Sequence, residues 1–145
     1  MVAGLGCRIS TIEPEPVLAG RAERRFSRMA NVEVVRGLSE EVPPGLLDRA
    51  GPVLAVWLDG HYSAGLTHRG PQDTPIRFEL DAISARLENF DRLVILVDDV
   101  RCFDPRIDSY STYPPREFLV EWACAHDLWW TIEHDIFIAV KGERV

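Results

Sequence analysis

The chain has 145 residues, a formal net charge of −7 and three cysteines. This length predicts a single domain, residues 1–145, with a sizeable core, and the acidic balance argues against a nucleic-acid partner, for which a basic face is expected. The cysteines are odd in number and lack a C-x-x-C pair, which argues against a disulfide framework or a zinc site. No apolar run approaches the ~20 residues of a membrane span, and a signal-peptide pattern is missing. We expect a cytoplasmic protein.

The first third of the sequence alternates between strand and helix patterns. Arg8 to Ile12 is a short β-branched run that ends at Glu13, where the following proline forces a break, and it predicts a strand. Pro16 to Met29 carries apolar residues at helical spacing with arginines on the remaining faces. This pattern predicts an amphipathic helix with a solvated basic face. Val32 to Val35 predicts a second strand.

Two apolar strands that each run into acidic residues organise the chain. Val53 to Leu58 is apolar throughout and is followed by Asp59. It predicts an interior strand of a parallel sheet, covered on both faces. Leu93 to Val97 repeats the pattern and is followed by Asp98 and Asp99. Ligands bind at the carboxyl ends of strands in open α/β sheets, so we expect these three acids to share one rim.

The remaining segments complete an α/β pattern. Ser63 to Pro71 is glycine-rich and predicts a loop over the ligand edge, and a helix with an apolar stripe is predicted from Asp73 to Leu87. Another helix is expected over Arg116 to His126. The last two strands, Leu128 to Ile132 and Asp135 to Val140, are separated by two residues, Glu133-His134, and predict an antiparallel hairpin.

The element order predicts an α/β fold: a doubly wound, mainly parallel, Rossmann-like sheet with a C-terminal antiparallel hairpin. Four places in this order carry a resemblance to a known family: Thr11-Ile12-Glu13, Asn31 to Gly37, Trp57 to Ser63, and Val94 to Asp99. Together they resemble the class I S-adenosylmethionine-dependent methyltransferases, particularly the branch that includes the macrolide-sugar O-methyltransferases. The resemblance runs from about Arg8 to Val140 and implies methyl transfer to a hydroxyl of a small molecule.

The resemblance also implies roles for individual residues. Glu13 corresponds to the acid that holds the cofactor ribose, the turn Gly37-Leu38-Ser39 flanks the adenine, and Asp59 contributes to the cofactor site. Asp59, Asp98 and Asp99 are similar to the magnesium-binding set of the branch. S-adenosylmethionine and Mg²⁺ are thus the implied cofactors.

The chemistry of these side chains supports the implied roles, and a purely structural role is left open for each of them. A carboxylate such as Glu13 can accept from both vicinal hydroxyls of a ribose, although it can equally be a solvated strand end. Asp98 and Asp99 can serve one cation only where the strand ends and the backbone turns; the alternative is a structural acid at a loop start. His61, assisted or replaced by Asp59, is the candidate general base because its pKa lies near neutrality, and a merely loop-orienting histidine is the alternative.

One part of the family pattern is not found before Arg8. The family begins with a strand and a glycine-rich turn that cradles the methionine end of the cofactor, whereas Gly4-Leu5-Gly6 precedes a strand. We therefore expect an N-terminally truncated version of the fold with weak or absent cofactor binding. A non-catalytic remnant or interaction subunit, and a different metal-dependent α/β enzyme such as a hydrolase, are the alternatives. The expected partner is a small-molecule acceptor, with no nucleic acid and no membrane, and a homo-oligomer is left open.

Overall fold

The computed structural model describes residues 6–60, 74–108 and 112–142. Strands and helices alternate along these residues, and no helix among them is long and apolar enough to span a membrane. The elements are β1 (Ile9–Glu13), α1 (Pro16–Phe26), β2 (Val32–Arg36), α2 (Pro43–Leu47), β3 (Val53–Leu58), α3 (Ile76–Ser84), β4 (Arg92–Val97), α4 (Arg116–Ala125), β5 (Trp129–Glu133) and β6 (Ile136–Lys141). Two short 3₁₀ turns, Leu87–Asn89 and Val100–Cys102, flank β4.

The described strands form two sheets rather than the one continuous sheet that was expected. β1 and β2 make a parallel pair, and the other four strands follow the order β3-β4-β6-β5. β3 and β4 are parallel neighbours, as predicted, whereas β6 is antiparallel to both β4 and β5. Within the described residues β1 and β3 each pair with a single strand, so each is an edge strand.

The expectation that β3 is covered on both faces is wrong. Val53 is 68% exposed and Trp57 is 53% exposed, whereas Leu58 is buried. An unbroken apolar run indicates burial only when strands and helices surround it. Val53, Ala55 and Trp57 are alternate residues on one face of β3, and all three are exposed, so this face is left uncovered in the described part of the chain.

The opposite face of the four-stranded sheet forms the hydrophobic core with α3 and α4. The apolar stripe predicted for α3 is buried there, and α4 contributes Leu119 and Ala123. The sheet contributes central residues of β4 and β6 that are almost completely buried: Leu93, Ile95, Val97, Phe137 and Ala139. Burying a side chain of this size stabilises the fold by roughly 1.5 to 3 kcal/mol. This packing fixes the carboxyl ends of β3 and β4 relative to α3.

The C-terminal hairpin forms as predicted, but its turn lies one residue later. The central turn residues are His134 and Asp135, with positive φ angles of 50° and 68°. Two consecutive positive φ angles define a type I′ turn, whose twist matches that of the flanking strands. Glu133 therefore stays in β5 and pairs with Ile136.

Candidate functional site

A small pocket lies at the carboxyl ends of β3 and β4. Leu58 is in register with Val97, and the amide of Asp98 donates to the carbonyl oxygen of Leu58 at 3.0 Å. The pocket is lined by residues from the ends of both strands, from α3 and from the segment before α4: Leu58, Asp59, Gly60, Thr74, Ile76, Glu79, Val97, Asp98, Asp99, Phe103 and Tyr113. The structure thus brings Asp59, Asp98 and Asp99 to one rim.

The tandem acids after β4 have different surroundings. The side chain of Asp98 accepts a hydrogen bond from the amide of Asp99 at 2.8 Å. Asp99 adopts a left-handed backbone conformation with φ of 56°, and its carboxylate lies 2.6 Å from the Arg101 guanidinium. The backbone turns at this point. Two adjacent acidic side chains can face one ion only at such a turn, because successive side chains of a strand point to opposite faces.

This loop is held by Asp135 in the turn between β5 and β6. The backbone carbonyl of Asp135 accepts from the amide of Val100 at 3.0 Å, and its carboxylate accepts from the amide of Arg101 at 2.8 Å. Asp135 also forms an ion pair with the Arg101 side chain. Arg101 therefore bridges Asp99 and Asp135, and the hairpin clamps the rim.

The metal prediction gains no support from this geometry. Within residues 6–60, 74–108 and 112–142, no three His, Cys, Asp or Glu side chains are grouped so that they could hold an ion. The positive charge close to Asp99 comes from Arg101. Magnesium binding by Asp59, Asp98 and Asp99 stays a prediction, and the candidate base His61 lies outside the described residues.

The turn after β2 requires a glycine. Gly37 has φ of 152°, and a Cβ added there would lie 2.5 Å from Cγ2 of Val42. Such a contact is closer than real Cβ atoms tolerate. The carbonyl of Leu38 accepts from the amides of Glu41 and Val42, at 3.1 and 3.0 Å. These bonds fix the course of the backbone through Gly37-Leu38-Ser39.

Glu13 lies beside this turn at the end of β1. It is in register with Arg36, and its carbonyl accepts from the amide of Gly37 at 3.4 Å. One carboxylate oxygen of Glu13, Oε1, accepts from the amide of Glu15 at 2.9 Å, which orients the side chain. The parallel pairing of β1 and β2 therefore places Glu13 and the predicted adenine-flanking turn side by side.

Ser39 joins the β2 turn to the end of β3 through Gly60. A Cβ added at Gly60 would lie 3.3 Å from Ser39 Oγ, 3.2 Å from Glu79 Oε1 and 2.9 Å from Pro75 Cγ. Only a glycine lets these three elements approach so closely. Ser39 and Asp59, two of the predicted cofactor residues, are thus brought to the same junction.

Glu79 is a candidate functional residue that the sequence analysis missed. Its side chain is buried, with 6% of the residue exposed. Loss of hydration raises the pKa of this carboxyl to about 7, the hydrogen bond with Ser39 acts in the opposite direction, and the charge of Glu40 raises the pKa further. A carboxyl that exchanges a proton near neutrality beside a pocket is typical of functional sites.

A signal for Glu79 was present in the sequence. Glu79 is three residues after Ile76 and four before Ile83, so it lies on the apolar stripe of α3 rather than on the solvated face. A carboxylate on such a stripe is expected to be buried. The stripe was predicted from its apolar residues alone, so Glu79 was not included in it.

No protein-family model and no curated protein matches the chain. The solved structures with a similar fold include the following two. One is a fibrillarin pre-rRNA processing protein from Methanococcus jannaschii, with a TM-score of 0.54 and 12% identity over 94% of this chain and 57% of the neighbour. The other is an rRNA methylase from Streptococcus thermophilus, with a TM-score of 0.52 and 16% identity over 98% of this chain and 78% of the neighbour. The chain spans little more than half the length of the fibrillarin.

These similarities confirm the predicted fold class. The chain shares a Rossmann-like α/β fold with these two proteins, one of which is named as an rRNA methylase. Neither neighbour is a macrolide-sugar O-methyltransferase by its name, so that branch stays a prediction.

The expectation of a small-molecule acceptor and no nucleic acid is corrected by the same comparison. Both neighbours are named for ribosomal RNA or its precursor. The net charge of −7 is a property of the whole chain and says nothing of a local surface. On α1 and the turn after it, four arginines at helical spacing share one exposed face: Arg21, Arg24, Arg25 and Arg28.

Proposed function

We propose that the protein is an S-adenosylmethionine-dependent methyltransferase-like protein whose described residues bind the adenosine end of the cofactor. The observation that carries this proposal is the junction of Ser39, Gly60 and Glu79, which sets the β2 turn against the end of β3 beside a pocket. The fold and the position of Glu13 beside that turn support it.

The side chains at this edge fit an adenosine group better than a whole cofactor. The Glu13 carboxylate uses one oxygen in the bond with Glu15 and can accept from ribose hydroxyls as well. The turn Gly37-Leu38-Ser39 offers backbone groups and an apolar side chain to the adenine. Among the described residues, no glycine-rich turn follows a strand and opens a helix as a cradle for the methionine end needs.

The bound cofactor would supply an electrophilic methyl group, and the chain would position the acceptor hydroxyl. Asp59 or His61 accepts the hydroxyl proton. Positioning the oxygen in line with the methyl carbon is the larger contribution.

Adenosine binding tests this proposal. Replacing Glu13 with glutamine keeps an oxygen for the Glu15 amide but removes the charge that favours the ribose hydroxyls. Hydrogen bonds to charged groups contribute about 1.5 to 3 kcal/mol, so we expect the adenosine dissociation constant to rise roughly tenfold or more in a protein-observed NMR titration.

The matched ligand is 2′,3′-dideoxyadenosine, which lacks both hydroxyls. It should bind the wild type and Glu13→Gln equally weakly. If adenosine and the dideoxy compound bind the wild type with the same affinity, Glu13 is not a ribose ligand and the proposed site is rejected.

We propose further that the methyl acceptor is a hydroxyl of an RNA. The names of both structural neighbours and the exposed arginine face of α1 support this acceptor class. An arginine face can contact successive phosphates, and each phosphate contact adds to the salt dependence of binding.

RNA binding should therefore depend on the α1 arginines. In fluorescence anisotropy with a labelled single-stranded RNA over a salt series, Arg21→Gln with Arg25→Gln should weaken binding for all sequences. The slope of log affinity against log salt should fall by about 1 to 2. Arg106→Gln is the matched control, because Arg106 is exposed but pairs with Asp104 in another part of the chain. Equal losses in both variants would rule out a specific role for α1.

A further inference from the structure

The strand β5 carries apolar side chains at an open backbone edge, the one that faces away from β6. Within the described residues β5 pairs only with β6. Trp130 is 36% exposed and Ile132 is 43% exposed, although they are in register with Ala139 and Phe137 of the core. The Trp130 ring also stacks on that of Phe137, with 6.1 Å between the ring centroids. The hydrophobic core therefore extends to this edge of the sheet and meets solvent there.

The sequence of β5 lacks the features that usually keep strand edges apart. Exposed edges are commonly protected by lysines, prolines or inward-pointing charges. The sequence of β5, WWTIE, contains no lysine and no proline, and its single charged residue, Glu133, lies at its end. A strand of this kind favours pairing with another strand.

The hairpin turn determines which backbone groups of β5 point to the open edge. In a two-residue turn the flanking residues, here Glu133 and Ile136, form a hydrogen-bonded pair. Hydrogen-bonded and non-hydrogen-bonded pairs alternate along an antiparallel ladder, so Thr131 also directs its amide and carbonyl groups to β6. The amide and carbonyl groups of Trp130 and Ile132 therefore point outwards.

These outward groups fit the same edge of a second copy of the chain in one antiparallel register. With Thr131 opposite Thr131 of the second copy, Trp130 lies opposite Ile132 of that copy, and each such pair exchanges both of its hydrogen bonds. All residues of β5 are then paired. Registers displaced by two residues bring His134 or Asp127 into the ladder, and both have the positive φ angles of turn residues rather than of a strand.

The side chains favour the same register. On the core side of the sheet Trp130 faces Ile132 of the second copy, and the two-fold axis repeats this apolar contact. The two copies of Glu133 lie at opposite ends of the interface, about 13 Å apart at ~3.3 Å per residue. A parallel, in-register arrangement would place these like charges side by side, which is destabilising.

We propose that the open edge of β5 is the interface of a homodimer, in which two copies pair antiparallel about Thr131 and join their four-stranded sheets into one. The edge is self-complementary, as a two-fold interface requires. An interface built on two short strands is small, so we expect a dissociation constant in the micromolar range. The proposal is independent of the adenosine and RNA sites.

Sedimentation velocity of the full chain tests the dimer. Over a concentration series that spans the micromolar range, the wild type should show a monomer–dimer equilibrium. Ile132→Lys sets a charge opposite Trp130 of the second copy and should raise the dissociation constant roughly tenfold or more. Val53→Lys is the matched control, because it makes a similar change at an exposed position of β3, the opposite edge strand of the same sheet. A monomeric wild type throughout the series, or equal losses in both variants, would overturn the proposal.

Amide hydrogen exchange of the wild type tests the register without any substitution. The amides of Trp130 and Ile132 point to solvent in a single copy and are hydrogen-bonded in the dimer, so their protection should rise with protein concentration. The Thr131 amide is bonded to β6 in either state and should be protected in the monomer as well. If the chain dimerises while protection of Trp130 and Ile132 stays constant, the interface lies elsewhere and the proposal is rejected.

Discussion

The free energy of unfolding of the wild type is expected to fall as pH rises from 4.5 to about 7, and Glu79→Gln is expected to abolish this fall. The pKa of Glu79 rises from an ordinary 4.5 when unfolded to about 7 in the folded protein, chiefly because burial disfavours the charge. A raised carboxyl pKa means that the folded state binds more protons than the unfolded state in this interval. The stabilisation is therefore complete below pH 4.5, declines from there to about pH 7, and is absent above it.

The size of this effect follows from the pKa difference. One pKa step corresponds to about 1.36 kcal/mol, so the free energy of unfolding should drop by about 3 kcal/mol between pH 4.5 and pH 8. Urea denaturation at a series of pH values measures it directly. Taking the difference between the wild type and Glu79→Gln cancels groups common to both, and Asp81→Asn is the exposed control. Parallel stability profiles for the wild type and Glu79→Gln would show that Glu79 stays protonated or is hydrated.

Gly37→Ala should destabilise the protein by roughly 2 to 4 kcal/mol. A non-glycine residue at φ of 152° is strained, and its Cβ would meet Val42 Cγ2 at 2.5 Å. Backbone strain and an overpacked contact each cost about 1 to 3 kcal/mol. The loss should appear in urea denaturation as a lower midpoint with an unchanged slope.

Gly45→Ala is the matched control for this substitution. Gly45 lies in α2, and nothing lies within 4 Å of a Cβ added there. Alanine is the better helix former by about 0.8 to 1 kcal/mol, so Gly45→Ala should leave stability unchanged or raise it. Similar losses in both variants would mean that the Gly37 turn rearranges at low cost.

Much of the fold could be predicted because local patterns and global packing agree. The apolar runs before Asp59 and Asp98 identified β3 and β4, and the helical stripe between them predicted their parallel pairing. The exposure of the Val53 and Trp57 side chains could not be predicted from these patterns. Hydrophobicity shows that a strand can be buried, whereas the presence of a covering neighbour is a property of the whole assembly of elements.

The candidate site was predictable to the extent that strand ends determine it. Asp59, Asp98 and Asp99 reached one pocket because parallel strands end at the same edge. The pairing of Asp99 with Arg101 and the contact between Glu79 and Ser39 could not be derived, since each depends on the path of a loop. Loop paths are set by long-range contacts that no local pattern encodes.

The clamp by Asp135 sets the order in which the rim can be completed in a growing chain. Asp135 follows Arg101 by 34 residues. At the usual rate of about 5 to 20 residues per second, this separation corresponds to roughly 2 to 7 s of synthesis. A nascent chain that has emerged only as far as β4 therefore has the acids of the loop but not the hairpin that fixes them. The rim therefore becomes fixed only after the hairpin has formed, although β4 lies inside the sheet. A ligand that needs a rigid Asp99 can bind only chains whose hairpin has already left the ribosome.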